Sequence, residues 1–125
     1  MSTERILFEG YKSKITTAEE AAKLIKDGSV LGVSGFTKAG DSKAVLPAFA
    51  ELAKTNPVRV SLLSGASLGY DTETQLALSD VVAKRIPFMA DAELRKSINT
   101  HKALYMDQHW SETHEMLNNK HFPKV

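Results

Sequence analysis

The order of apolar and polar positions along the chain predicts an α/β fold. Two apolar runs, at 29–34 and from Val58 or Arg59 to Leu63, are typical of buried strands. The stretch between them has room for a loop and a helix over about 43–54, so the two strands are expected to be parallel. Because the run at 29–34 is apolar on both faces, it is predicted to be a central strand of a covered sheet.

A helix is predicted before the first strand. Five apolar residues recur there at helical spacing: Ala18, Ala21, Ala22, Leu24 and Ile25. Either Thr16 or Thr17 can cap this helix, Thr16 in a capping box with Glu19, and Gly28 ends it. Residues 1–14 are expected to form an extended lead-in.

The helix between the two strands contains a proline, so its first residue can be placed in two ways. Asp41 or Ser42 is the natural cap. If Ser42 caps the helix, Pro47 falls at the fifth helical position and kinks it. Alternatively, the regular helix begins near Leu46 and holds Pro47 in its first turn.

The second half of the chain continues the alternation of helices and strands. A short helix is predicted over 72–79, and residues 81–83 either extend it or start a strand. A further helix over 92–99 is capped by Asp91. The apolar run at 103–106 is predicted to be a third strand.

The last residues carry no clear pattern, and 113–125 is expected to be an irregular tail. Three or four strands make a thin sheet, so the chain is interpreted as a truncated part of a larger parallel-sheet domain. The whole chain, 1–125, is treated as one unit because it contains no internal linker and no low-complexity segment.

The composition is that of an ordinary globular protein and excludes several classes of function. Sixteen basic and fifteen acidic residues give a formal net charge of +1 without a basic run, so no nucleic-acid partner is expected. The chain has no cysteine, which excludes disulfides and thiolate chemistry. No apolar run approaches the ~20 residues that span a bilayer, so no membrane association is expected. Glu4 and Glu9 disfavour a transit peptide, and the expected location is the cytoplasm.

Both predicted strands of the βαβ unit end in a Ser-Gly pair. Ser34 and Gly35 follow the first strand, and Ser64 and Gly65 follow the second. The carboxyl ends of parallel strands meet at one edge of a sheet, where α/β proteins bind ligands, so these turns are expected to form one site. The first loop also offers a hydroxyl and a cation near its glycines, which suits a carboxylate or phosphate, although a plain turn has the same composition.

No nucleophile or metal site stands out. The sequence lacks the G-x-S-x-G elbow, so Ser67 is interpreted as a binding residue. All four histidines lie in the last quarter of the chain without the spacing of a ligand set, and no metal is expected. Asp107 and His109 would share a strand face and are a possible hydrogen-bonded pair.

Four motifs, in order along the chain, resemble the acetyl-CoA hydrolase/transferase family, a group of class I coenzyme A transferases. The motifs are Ser-Gly-Phe-Thr-Lys-Ala-Gly at 34–40, Leu-Leu-Ser-Gly-Ala-Ser at 62–67, Leu-Arg-Lys-Ser-Ile-Asn at 94–99 and Tyr-Met-Asp-Gln-His-Trp-Ser-Glu at 105–112. The resemblance implies a three-layer α/β fold of which this chain is the first part. It also implies an activity that moves coenzyme A between small carboxylic acids such as acetate, propionate and succinate, with a coenzyme A thioester as substrate and no bound cofactor.

In the family, a glutamate of the second half attacks the thioester, so the resemblance implies that this chain carries no catalytic residue and is inactive alone. It implies acyl-pocket or neighbouring contacts for seven residues: Ser34, Gly35, Phe36, Thr37, Gly65, Ala66 and Ser67. Ser67 matches a serine near the catalytic glutamate, whereas Asp107 and His109 match an Asp-x-His motif of structural role. The partners expected are acyl-CoA, small carboxylates, and the remainder of the enzyme or a partner chain, in a homo-oligomer. The alternative is a non-catalytic module that binds coenzyme A or an anion.

Overall fold

The computed structural model describes residues 4–118 and contains a parallel sheet of four strands in consecutive order. The strands are β1 (Val30–Gly32), β2 (Val60–Leu63), β3 (Val82–Ile86) and β4 (Leu104–Tyr105). Each strand pairs in parallel with the next one along the chain. The α/β class and the partial parallel sheet are therefore confirmed.

Helices cover the sheet on one face and contribute to a smaller cluster on the other. They are α1 (Glu9–Lys12), α2 (Ala18–Ala22), α3 (Val45–Ala53), α4 (Tyr70–Leu78), α5 (Ala92–Asn99) and α6 (Thr113–Asn118), with a 3₁₀ turn at Trp110–Glu112. The main core joins α2, α3, α4 and α5 to the face of β2 that carries Leu62. The opposite face of β2 carries Leu63, which packs with Ile86 and Met116 of α6. Successive side chains of a strand alternate between faces, and this gives three layers.

The prediction of a central first strand is wrong for the part of the sheet that the structure describes. β1 pairs with β2 alone within residues 4–118, and Gly32 is exposed. An apolar run indicates that the faces of a strand are covered, but it carries no information about the strand's place in the sheet order.

The lead-in, expected to be extended, and the tail, expected to be irregular, each contain a short helix. The lead-in contains α1, where Lys12 forms an ion pair with Glu9 one turn earlier. The predicted tail begins with α6, which buries Met116. These helices are short, so neither has the two or more turns of apolar periodicity that a pattern search needs. Residues 119–125 of the predicted tail lie outside the described residues.

The helix before β1 is shorter than predicted, and its cap is Thr17. The Thr17 hydroxyl accepts a hydrogen bond from the Glu20 amide, and α2 ends at Ala22. Turns follow α2 and end at Gly28, which has φ +75°. The Gly28 amide donates a hydrogen bond to the carbonyl oxygen of Arg59. The chain thus passes from α2 to β1 through turns anchored on the residue before β2.

The start of α3 agrees with the second of the two alternatives. Val45 is the first residue of α3 and Pro47 the third, where a backbone N–H has no partner within the helix. Ala44 occupies the cap position without a side-chain bond, so neither Asp41 nor Ser42 caps α3. Asp41 is engaged elsewhere, as described below.

The later elements follow the sequence pattern closely. Residues 81–83 belong mostly to β3, which resolves that alternative in favour of a strand. The Asp91 carboxylate accepts a hydrogen bond from the Leu94 amide at 2.8 Å, which confirms it as the cap of α5. Within the predicted third strand, only Leu104 and Tyr105 pair, as β4.

Candidate functional site

The two Ser-Gly loops lie side by side at the carboxyl edge of β1 and β2. We call residues 34–40 loop A and residues 64–69 loop B. The Ala66 amide donates to the Gly35 carbonyl at 3.2 Å, and the Lys38 amide donates to the Ser67 carbonyl at 3.4 Å. The predicted juxtaposition of the two loops is therefore present, and two backbone hydrogen bonds join them.

Glycine allows this close approach at two positions. Gly35 adopts φ +145°, and a Cβ there would lie 2.4 Å from Leu68 Cδ2. A Cβ on Gly65 would lie 2.8 Å from the Gly35 carbonyl oxygen. A larger residue at Gly65 would push the loops apart, whereas one at Gly35 would strain the backbone and displace the Leu68 side chain.

The tip of loop A is a tight hairpin. Phe36 and Ala39 exchange two backbone hydrogen bonds of 3.0 Å, and Thr37 and Lys38 between them have φ of 46° and 72°. Two consecutive positive φ values are typical of a type I′ turn, which non-glycine residues adopt at a cost. The turn presents the Thr37 hydroxyl at the exposed end of the loop.

The serine hydroxyls differ in their availability. Ser34 Oγ donates to Gly40 O at 2.6 Å and so closes loop A, and Ser64 Oγ donates to Ala66 O and so closes loop B. Ser67 is 7% exposed, and its Oγ accepts a hydrogen bond from the Ala90 amide at 2.9 Å. Because Ser67 Oγ is the acceptor in that hydrogen bond, the Ser67 hydroxyl can still donate its own proton to another group.

An aromatic pair lies beside loops A and B. Its second ring, Trp110, was not among the site residues expected from the sequence. Phe36 of loop A stacks on Trp110, with ring centroids 5.3 Å apart and ring planes inclined by 16°. His109 holds Trp110 at the start of the 3₁₀ turn through a capping box with Glu112. A neighbouring cleft of about 230 Å³ is lined by Gly32, Val33, Leu63, Ser64, Gly65, Trp110, Thr113 and Leu117.

Asp41 anchors the end of loop A to the beginning of α4. Its buried carboxylate accepts hydrogen bonds from Lys43 Nζ at 2.6 Å, Thr72 Oγ1 at 2.8 Å and the Gly69 amide at 3.2 Å. The hydrogen bond from Lys43 is the largest cause that lowers the pKa of Asp41, to about 2, with Thr72 and Gly69 contributing and burial opposing. Gly69 is the N-cap residue of α4 and has no side chain that could accept a hydrogen bond there. The Asp41 carboxylate supplies that acceptor at the start of α4.

A buried arginine and glutamate lie beneath loop B. Arg85 Nη2 donates to Glu73 Oε1 at 2.6 Å and to the Ala66 carbonyl at 2.9 Å. Both side chains are fully buried, and Glu73 Oε2 has no hydrogen-bond partner among the described residues. Burial raises the pKa of Glu73 against the opposing effect of Arg85. The charged Arg85 inside a strand was the sequence signal that could have revealed this pair.

Comparison with known proteins supplies the family. A model of the acetyl-CoA hydrolase/transferase N-terminal domain matches residues 2–125. The chain belongs to this family. It is 33% identical over 118 residues to the succinyl-CoA:acetate CoA-transferase of Clostridium kluyveri, and 36% identical over 107 residues to the propanoyl-CoA:succinate CoA transferase of Escherichia coli. The acetyl-CoA hydrolase of Saccharomyces cerevisiae is 34% identical over 112 residues.

The matches cover most of this chain and a small share of each relative. They cover 91%, 82% and 86% of the chain, respectively, but 22%, 22% and 21% of the relatives. The family resemblance of the four motifs is thereby confirmed. The chain spans about a fifth of the length of these acetyl-CoA hydrolase/transferase relatives.

The Asp-x-His motif of this family member has separate partners for its two side chains. Asp107 accepts a hydrogen bond from the Gln108 amide, and burial together with Asp107 raises the pKa of Tyr105. His109 Nδ1 bonds with Ser111 instead. The possible Asp107–His109 hydrogen bond is therefore replaced by two local ones, and the structural role that the resemblance implies stays a prediction.

Residues 4–118 contain no group of three or more side chains that could hold a metal ion. The fourth histidine, His121, lies outside the described residues. No helix in the described part of the chain is long and apolar enough to cross a membrane.

Proposed function

We propose that this chain supplies one rim of the acyl site of an enzyme that transfers coenzyme A between small carboxylic acids or hydrolyses acetyl-CoA. The pair of backbone hydrogen bonds that joins loop A to loop B carries this proposal. The two hydrogen bonds hold both Ser-Gly turns together at the carboxyl edge of β1 and β2. Open α/β proteins bind ligands at this edge of the sheet. The names of the relatives indicate the chemistry: succinyl-CoA:acetate transfer, propanoyl-CoA:succinate transfer and acetyl-CoA hydrolysis.

The proposed contacts fall into three groups. Ser67 donates its free hydroxyl proton to a carboxylate, either of the substrate or of the attacking glutamate. The backbone at Gly35, Gly65 and Ala66 sets the spacing of the two loops beside the substrate, because these residues form the contact between loop A and loop B. The exposed end of loop A contributes further acyl contacts through Ser34, Phe36 and Thr37.

The nucleophile in this proposal comes from outside the chain. A glutamate from the remainder of such an enzyme, or from a partner chain, attacks the thioester carbonyl and displaces the coenzyme A thiolate, leaving an acyl-glutamyl anhydride. Attack of the thiolate on the glutamyl carbonyl then forms a glutamyl-CoA thioester and releases the acyl group as carboxylate. In this proposal the residues of loops A and B bind and orient the acyl group of the substrate. Coenzyme A enters as part of the thioester substrate.

A segment exchange tests the proposal. The aligned segment of the Clostridium kluyveri transferase is replaced by this chain, and exchange of coenzyme A between succinyl-CoA and acetate is measured. We expect exchange in the chimera and none in this chain alone or in the transferase lacking its segment. A folded chimera without exchange would contradict the proposal. Binding of acetyl-CoA to the chain alone would instead favour the alternative, a module that binds coenzyme A without catalysis.

A further inference from the structure

The buried Arg85–Glu73 pair contacts loop B at the peptide group that precedes Ser67. Arg85 Nη2 donates to the carbonyl of Ala66, the residue before Ser67. The guanidinium is itself fixed by Glu73 Oε1 and by the Ile86 carbonyl. Glu73 therefore holds Arg85, and Arg85 holds the peptide group that joins Ala66 to Ser67.

The side chain of Ser67 is fixed by a contact from another segment. Its Oγ accepts the Ala90 amide at 2.9 Å. Holding the preceding peptide group restricts the backbone dihedrals of Ser67, and those dihedrals decide which side-chain rotamers are allowed. We propose that Arg85 and Glu73 are positioning residues that fix the direction of the Ser67 hydroxyl.

Stability alone is a poor explanation for this pair. Removing two charges from water is unfavourable, and apolar pairs of similar volume often replace buried ion pairs without loss of stability. Glu73 Oε2 adds a buried acceptor that no described group satisfies. An apolar pair cannot reproduce the hydrogen bond from Arg85 to the Ala66 carbonyl, so the geometry of loop B is the property that depends on these charges.

The proposal is tested on the full 125-residue chain by amide hydrogen exchange, which NMR resolves residue by residue. In the double variant Arg85→Met/Glu73→Leu, we expect protection of the Ala90 amide to fall at least about tenfold because its acceptor, Ser67 Oγ, is displaced. The Val60 amide, which donates to Val81 O at 2.8 Å within the sheet, is expected to keep its protection. Unchanged protection at Ala90 in the folded double variant would overturn the proposal.

Arg59→Met is the matched control. Arg59 also bonds to several backbone carbonyls, those of Asp80, Val82 and Lys102, but at the opposite end of the sheet. We expect this variant to leave the ratio of Ala90 to Val60 protection unchanged. A fall in that ratio equal to that of the double variant would show general loosening rather than positioning by Arg85 and Glu73.

Arg85→Lys decides the matter if the double variant does not fold. A lysine keeps the charge opposite Glu73, but one ammonium cannot reproduce the planar fork that reaches Ala66, Ile86 and Glu73 together. We expect selective loss of protection at Ala90 again. Loss of protection throughout the sheet in both variants would overturn the proposal, because the pair would then hold the whole fold.

This inference rests on the proposed function only where it assigns a role in catalysis to Ser67. Hydrogen exchange at the Ala90 amide reports the position of the Ser67 hydroxyl without any substrate. In the chimera described above, the double variant is expected to lower kcat about tenfold and to change KM for succinyl-CoA by no more than about threefold. Selective loss at Ala90 with unchanged kcat would confirm the positioning and contradict the role proposed for Ser67.

Discussion

A Cβ on Gly65 would lie 2.8 Å from the Gly35 carbonyl oxygen, so these two glycines define how closely loops A and B approach. Backbone atoms cannot yield as the end of a flexible side chain can. We therefore expect Gly65→Ala to destabilise the chain by about 1–3 kcal/mol through overpacking, measured by urea unfolding. It should also shift the emission of Trp110, which lines the same cleft as Gly65.

Gly28→Ala is the control for this prediction. Gly28 has φ +75° and would meet no atom within 4 Å, so an alanine there costs only backbone strain, about 1 kcal/mol. The emission of Trp110 is expected to stay unchanged in Gly28→Ala. An equal spectral shift in both variants would contradict the close contact of the two loops.

The carboxylate of Asp41 makes a stability contribution that depends on pH. A pKa of about 2 in the folded chain lies below the ordinary 3.8, so this contribution is complete above pH 3.8 and is lost as the pH falls toward 2. Allowing for the solvent exposure of Lys43, the contribution is on the order of 1–2 kcal/mol at neutral pH. Asp41→Asn should therefore unfold more easily than the wild type at pH 6, and the difference should shrink below pH 3.8.

Glu51→Gln serves as the comparison for Asp41. Glu51 pairs with Lys54 on the surface of α3, and its side chain is 73% exposed. Such a pair contributes at most about 1 kcal/mol, so little change is expected at either pH. If Asp41→Asn were as stable as Glu51→Gln at pH 6, Asp41 would not be the anchor between loop A and α4.

The stacking of Phe36 on Trp110 makes the chain's single tryptophan a reporter of loop A. Phe36→Leu removes one ring of a pair whose interaction is worth about 0.5–1.5 kcal/mol. We expect a red-shifted emission and stronger quenching by acrylamide. Phe88→Leu, at an exposed residue of a different cleft, should leave both unchanged. Identical spectra for Phe36→Leu and the wild type would contradict the stacked pair.

The β4 edge is expected to promote self-association of the chain. Leu104 is 67% exposed on a strand that pairs only with β3 within the described sheet. Exposed apolar strand edges favour pairing between copies, and a lysine on the edge opposes it. Sedimentation should show concentration-dependent species larger than the 13.7 kDa monomer, and Leu104→Lys should shift them toward the monomer. A wild-type chain that is monomeric at all concentrations would contradict this expectation.

Local patterns predicted the elements whose causes are local. The apolar run before Ser64 predicted β2, and the Asp91 cap with its following helical spacing predicted α5. The neighbouring positions of loops A and B also followed from sequence, because parallel strands joined by a helix bring their carboxyl ends to one edge. These inferences needed only periodicity and chain direction.

The features that sequence reasoning missed depend on contacts between distant segments. Asp41 looked like a cap for α3, but its carboxylate reaches the beginning of α4 instead. The stacking of Trp110 on Phe36 and the pairing of Arg85 with Glu73 likewise join separate parts of the chain. Periodicity describes the face on which a residue lies, whereas its partner is decided by how the elements pack.

The most direct measurement of the central claim is the rate of coenzyme A exchange in the chimera carrying Ser67→Ala. Loss of a hydrogen bond to a charged group costs about 1.5–3 kcal/mol, so kcat/KM should fall roughly 10- to 150-fold. Ser97→Ala is the matched control, because Ser97 Oγ bonds to Glu93 O within α5, and its rate should be unchanged. Equal rates for the two variants would contradict the placement of Ser67 at the acyl site.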